Sequence, residues 1–256
     1  MSENQVFKTP TQPLDLPSKG KFYPKESPLS SGQVELYLPT AMHEDILTNR
    51  NYIQQQTVID KFLQAIIASK IDYGELLVGD KNAIMIGARI LAYGSKYSFS
   101  HKNPKTGQSE EVTVDLGSLK EKEIDWSEVK DGSNEFDYEL PMSKVVVTFK
   151  LLTHKDERNI DSEITGMQKI SKGISGEVTV RLFNSILAIN GNRDVKTVRD
   201  FVKSMPMQDS QALRKKISAL TPDIPLKFDF TDDSGEVVEG LSIPMTVDFF
   251  WPDLGV

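Results

Sequence analysis

The side chains best suited to chemistry in this chain of 256 residues are three histidines, a few clustered carboxylates and one concentration of cations. His43, His101 and His154 stand more than fifty residues apart, so no spacing marks a metal site or a catalytic pair, and each is expected in a surface or capping role. Glu44-Asp45 could form an acid pair, but two carboxylates near a helix start ordinarily answer the positive end of the helix dipole. Asp229, Thr231 and Asp233 begin like a calcium loop, yet Ser234 occupies the glycine position and Gly240 the terminal glutamate position. Cysteine is absent, which excludes a thiol nucleophile, a disulfide framework and a thiolate zinc site. Phosphate-cradling glycine patterns are absent as well. Two turns, 103–107 and 231–235, keep the spacing of a C-x-x-C-G zinc knuckle, with Asn103 and Thr106 before Gly107 and Thr231 and Ser234 before Gly235. Oxygen and amide side chains at those places predict hairpin turns closed by a left-handed glycine, without metal. If the turns descend from two halves of one four-ligand site, they should be spatial neighbours. No catalytic residue, metal ligand or cofactor is assigned.

The cations are Arg193, Lys196, Arg199, Lys203 and Arg214-Lys215-Lys216. Nucleic-acid binding would call for aromatics or glycines interleaved with them. Only Phe201 is present, so a solvated face or an acidic protein partner is expected ahead of nucleic acid. The formal charge of −7 is unevenly spread: 0 over residues 1–100, −6 over 101–140, +6 over 141–220 and −7 over 221–256. If the two knuckle-like turns are neighbours, the acidic segments would lie on one side of the molecule and the basic segment 141–220 on another. No apolar run approaches the ~18 residues of a membrane span, and the first residues lack a signal-peptide pattern. The chain is therefore expected to be soluble and intracellular when made.

The elements that would position these groups follow from periodicity. Six prolines between Pro10 and Pro39 preclude continuous helix, so residues 1–40 are expected as an extended arm wrapping the outside, with a short strand at 34–38. A short helix at 42–47 precedes the apolar stripe Val58, Ile59, Phe62, Leu63, Ile66 and Ile67, which is helical in spacing. Asp80 is read as the cap of a helix reaching Tyr93 and stopped by Gly94. Alternation predicts hairpin strands at 97–99 and 112–116, then a strand pair at 136–140 and 145–152. Thr153 and Asp156 form a capping box for a helix to about 171. Val178 to Ile189 reads as one helix ended by Asn190-Gly191, followed by helices near 195–204 and 208–220. Leu226, Phe228 and Phe230 alternate, and Ile243–Trp251 is read as the returning strand. The fold class expected is α+β: a helical body (41–96 and 153–222), antiparallel hairpin regions (97–152 and 223–256) and the extended Pro-rich arm (1–40).

Leu16-Pro17-Ser18-Lys19-Gly20-Lys21-Phe22-Tyr23-Pro24, a Gly-x-Val segment at 32–34, Thr40-Ala41-Met42-His43-Glu44-Asp45-Ile46-Leu47-Thr48 and Val58-Ile59-Asp60-Lys61-Phe62-Leu63 occur in order. Phe149-Lys150-Leu151-Leu152-Thr153 with Asp156-Glu157, Asp209-Ser210 with Leu213-Arg214, and Phe249-Phe250-Trp251-Pro252 complete the series. The chain resembles, over nearly its whole length, the base-plate hub and hub-assembly proteins of T4-like (T-even-type) contractile-tailed bacteriophages. The resemblance implies a non-catalytic hub component or assembly factor, with other hub or tail proteins as partners. It places the protein in the host cytoplasm during assembly and in the tail base plate of the virion. A nucleic-acid adaptor using the basic helices 193–216, or an enzyme with an unrecognised site, are the alternatives. Phe22, Tyr23, Phe250 and Trp251 are expected as partner-binding anchors, because aromatics bury large areas at little entropic cost.

Overall fold

The computed structural model describes residues 9–103, 107–170, 176–231 and 235–251. It shows an α+β fold in which small antiparallel sheets surround helices. The N-terminal segment forms β1 (Thr11–Asp15) and β2 (Gln33–Tyr37), paired antiparallel from Thr11 opposite Tyr37 to Asp15 opposite Gln33. The segment is extended, as its prolines require, but it is not an outer wrapping. Leu16, Phe22, Tyr23, Leu29, Val34 and Leu36 are all core residues. The alternation of β2 drives Val34 and Leu36 inward, and the loop between the strands folds back through Gly20. That glycine has φ +73°, and a Cβ there would lie 2.3 Å from the Ser30 carbonyl oxygen, so only glycine fits.

Helices α1 (Ala41–Leu47), α2 (Arg50–Gln54) and α3 (Val58–Ile66) follow. The predicted stripe places Val58, Phe62, Leu63 and Ile66 in the core. Helix α4 (Val78–Tyr93) is the central element, and Gly94 ends it with φ +79°. Leu77, not Asp80, is its N-cap residue. Asp80 sits in the first turn facing inward, where it has a different task. Gly79 lets the helix meet residues 222–223, since a Cβ would lie 1.8 Å from the Pro222 carbonyl oxygen.

The hairpin β3 (Lys96–Lys102) and β4 (Ser109–Asp115) matches the alternation that predicted it. Strands β5 (Phe136–Glu139) and β6 (Val146–Phe149) pair, and a third strand, β7 (Ile186–Ile189), adds to β6. This corrects the single helix expected over 178–189: α6 (Glu177–Ser185) stops at Ser185. The four-residue apolar run Ile186–Ile189 satisfies either period, and the open edge of β6 decides for strand. Helix α5 (His154–Ile170) starts at its predicted box. The Thr153 N–H donates to Asp156 Oδ2 (3.0 Å) and the Asp156 N–H to Thr153 Oγ1 (3.4 Å). Helices α7 (Val195–Ser204) and α8 (Met207–Leu220) also stand where expected.

The C-terminal region differs from its sequence reading. Strand β8 (Lys227–Thr231) pairs with β9 (Val237–Ser242), and residues 247–250 form a helical turn, α9 (Val247–Phe250). Pro244 cannot donate to a ladder, and the Trp251 N–H donates back to the Val247 carbonyl (3.0 Å). Adjacent residues in a helical turn are ~100° apart rather than 180°, so Phe249 and Phe250 both enter the core. Phe249 meets Tyr97 at 4.8 Å and Phe250 meets Phe62 at 5.2 Å between ring centroids. The two hairpins lie side by side near their turn ends, through Phe99–Phe228 (6.3 Å) and His101–Phe230 (5.8 Å). The proposed neighbourhood of the knuckle-like turns depends on residues 104–106 and 232–234, which lie outside the described residues.

Acidic and basic segments interleave instead of occupying separate sides. Residues 116–135 lie across the basic helices: Glu128 pairs with Lys216, and Glu135 with Arg193 at 2.5 Å. Lys122 donates to the Ser218 and Thr221 carbonyls at the end of α8.

Candidate functional site

Three helix starts converge on one charged cluster. Helix α3 carries Asp60, the turn at 73–75 carries Tyr73, α4 carries Lys81 and α5 carries His154. The starts of α4 and α5 are tied by backbone bonds, Val78 N–H to the Leu152 carbonyl (3.3 Å) and His154 N–H to the Leu76 carbonyl (2.7 Å). Lys81 Nζ donates to Asp60 Oδ1 (2.6 Å) and stands 3.3 Å from His154 Nδ1. Tyr73 Oη donates to the same Asp60 oxygen (3.0 Å), and His154 Nε2 lies 3.5 Å from Asp60 Oδ2. Burial would raise the Asp60 pKa, but Lys81, His154 and Tyr73 together hold it below the usual carboxylate value. Burial and the neighbouring ammonium of Lys81 push His154 below the ordinary imidazole value.

This cluster forms one side of a cleft of about 670 Å³. His154, Glu157, Arg158 and Asp161 project from one face of α5. Val58, Ile59, Met85, Met245 and Val247 supply an apolar wall. Glu157 is held by Arg181 at 2.8 Å. The polar groups at the base thus satisfy one another: the Asp60 carboxylate accepts from two donors, and the Lys81 ammonium is anchored by it. Such an arrangement fixes three helices rigidly and shapes a groove. Sequence reasoning missed Asp60 and Lys81, and it treated His154 as isolated. The residues are 21 and 73 positions from Lys81, and no local pattern connects them.

A second buried polar centre holds the N-terminal segment. Asp80, fully buried, accepts from the Ser18 N–H (3.0 Å) and from Tyr23 Oη (2.5 Å). Tyr23 Oη in turn accepts from the Leu77 N–H (2.9 Å). Burial pushes the Asp80 carboxyl up, against the pull of Tyr23 and Ser18. The Tyr23 phenol is pushed up by burial and by the adjacent Asp80.

The expected anchors are therefore largely interior. Phe22 is 2% exposed, Tyr23 5% and Phe250 2%. Phe22 packs between Trp126 and Phe136, each 6.1 Å away. These three side chains are packed into the core and expose little surface. Trp251, half-buried, alone keeps an accessible face. Among the histidines, His43 caps α1 by accepting from the Thr40 N–H (3.0 Å). His101 packs on Phe230, and His154 is buried in the cluster. Glu44-Asp45 is exposed in α1.

A family model described as T4 bacteriophage base plate protein matches residues 10–251. No curated protein and no solved structure matches the chain. Among the described residues no helix is long and apolar enough to cross a membrane. A match over nearly the whole chain, running through both buried polar centres and both hairpins, shows that the chain belongs to the T4 bacteriophage base plate protein family, a structural component of the phage tail base plate.

Proposed function

We propose that the protein acts without catalysis, as a component or assembly factor of the base-plate hub that binds other hub or tail proteins. The observation that carries this reading is the family match, and the chemistry of the cleft beside Asp60 agrees with it. At its base Asp60 is bound by Lys81 and Tyr73 and Glu157 by Arg181, whereas its opposite wall is apolar. That combination suits recognition of a protein surface more than turnover of a substrate. Trp251 is the aromatic anchor that remains accessible. Assembly would take place in the host cytoplasm.

Mass spectrometry of purified virions beside assembly intermediates from infected cells tests the reading. Presence in both marks a structural hub component, and presence in intermediates alone marks an assembly factor. A protein that sediments apart from every base-plate protein in both samples would overturn the proposal.

A further inference from the structure

A second groove, of about 330 Å³, lies where α5, α6, β7 and α7 meet. Its floor is apolar, from Phe183, Leu187 and Val198, and Val195 stands at the lip with 67% of its surface exposed. Arg193 and Arg199 flank it. The Arg199 guanidinium lies over the Phe183 ring, 5.6 Å from its centroid, so this cation is held at the groove by packing as well as by charge. The acids that answer the two arginines are weakly committed. Arg199 is 3.7 Å from Glu163, and the Arg193–Glu135 pair, though at 2.5 Å, is about half exposed on both sides. Exposed pairs of this kind contribute little and exchange readily.

The cationic rim continues along α7. Lys196, Arg199 and Lys203 follow one another at three and four residues and are all exposed, and the two lysines make no ion pair among the described residues. Asp194 is occupied at the start of α7, accepting from the Thr197 N–H (2.8 Å) and hydroxyl. Asp200 is the ridge's own carboxylate, exposed and paired with neither lysine. An apolar trough bordered by forked guanidiniums and a ridge of free ammonium groups matches one chemistry: a protein segment whose apolar side chains are flanked by carboxylates.

We propose that this groove and the exposed ridge of α7 dock an acidic, amphipathic segment of another base-plate protein. The inference rests on the protein-binding function proposed above and names the surface and the partner's chemistry. The segment would seat one or two aliphatic or aromatic side chains on Phe183, Leu187 and Val198. Its carboxylates would displace Glu135 and Glu163 from the arginines and meet Lys196 and Lys203. A nucleic-acid backbone is a poorer occupant, because it has no apolar side chain for the trough.

The test compares the full-length protein with Lys196→Glu/Lys203→Glu and with Arg193→Ala/Arg199→Ala, each first shown to keep the wild-type melting temperature. Tagged versions are expressed during infection, and co-purified base-plate proteins are identified and cross-linked through lysine. The expected result is that the wild type retains an identified base-plate protein, with Lys196 or Lys203 cross-linked through a spacer to lysines bordering an acidic segment of it. Retention by either variant should fall about tenfold or more, and wild-type retention should weaken as salt rises. Full retention by both variants overturns the inference while leaving the protein-binding function intact. Failure of the wild type to retain any base-plate protein overturns both. Salt-dependent retention of a duplex DNA oligonucleotide, or self-association of the purified protein, overturns the inference in favour of those occupants if the variants abolish it.

Discussion

The N-terminal segment and the C-terminal hairpin are both short two-stranded sheets, yet they are held by different means. Residues 9–37 send Leu16, Phe22, Tyr23 and Leu29 into the core and hang a backbone amide and a phenol on the buried Asp80. The hairpin β8–β9 has no buried residue along either strand and touches its neighbour through half-buried aromatics. Proline content describes how a backbone can run, and side-chain placement decides whether it is peripheral. The segment that looked most like a loose strap is integral to the fold. The regular hairpin is the more separable element, the kind of local unit expected to open at lower free energy.

The strongest way to break this contrast is deletion. Removal of residues 1–30 should leave a chain that does not fold cooperatively, as circular dichroism and thermal melting would show; a truncated protein melting near the wild type would refute the integral role. Phe22→Ala, which empties a site between Trp126 and Phe136, should cost about 3–5 kcal/mol in urea unfolding. Asp80→Ala strands the Ser18 amide and the Tyr23 hydroxyl, for an expected loss of about 2–5 kcal/mol. Asp80→Asn should lose less, since an amide oxygen still accepts. The pH profile sharpens that comparison. Because the folded pKa of Asp80 is raised, its contribution is full below the unfolded value and is lost as pH rises through the folded value. Asp80→Asn should remove that decline.

In the hairpin, Phe228→Ala should cost only about 1–2 kcal/mol, because its ring is half-buried and its partner Phe99 keeps other contacts. Amide hydrogen exchange should show β8 and β9 opening faster than β1 and β2; equal protection would erase the distinction. The smallest effect concerns the cleft. The folded pKa of His154 lies below the unfolded value of 6.5, so its contribution is full above that pH and is lost as pH falls through 6.5 and beneath. Replacement by Gln should flatten the acid limb of stability below about pH 6.5. Titration of the imidazole by NMR would check the sign directly.

The parts of the fold legible in the sequence were those whose cause is local. The stripe of α3, the Thr153–Asp156 capping box and the alternation of β3 and β4 each arise within a few residues. Gly94 stops α4 for a reason visible at one position. Where two periods fitted equally well, a distant neighbour chose between them: β7 became a strand because β6 offered an open edge. Phe250 was misread as an exposed anchor because a strand was expected to run through Pro244 to Trp251.

The sequence by itself thus determined the elements whose cause is local, the lack of thiol chemistry and, through the ordered segments from Leu16 to Pro252, the family. Only the tertiary structure decided which residues share a site. It brought together Asp60, Lys81 and His154, and it drew Ser18 and Tyr23 onto Asp80. It also laid the acidic residues 116–135 across the basic helices. The physical reason is that a buried charge must find its partner wherever the fold supplies one, and that partner's position along the chain carries no local signal.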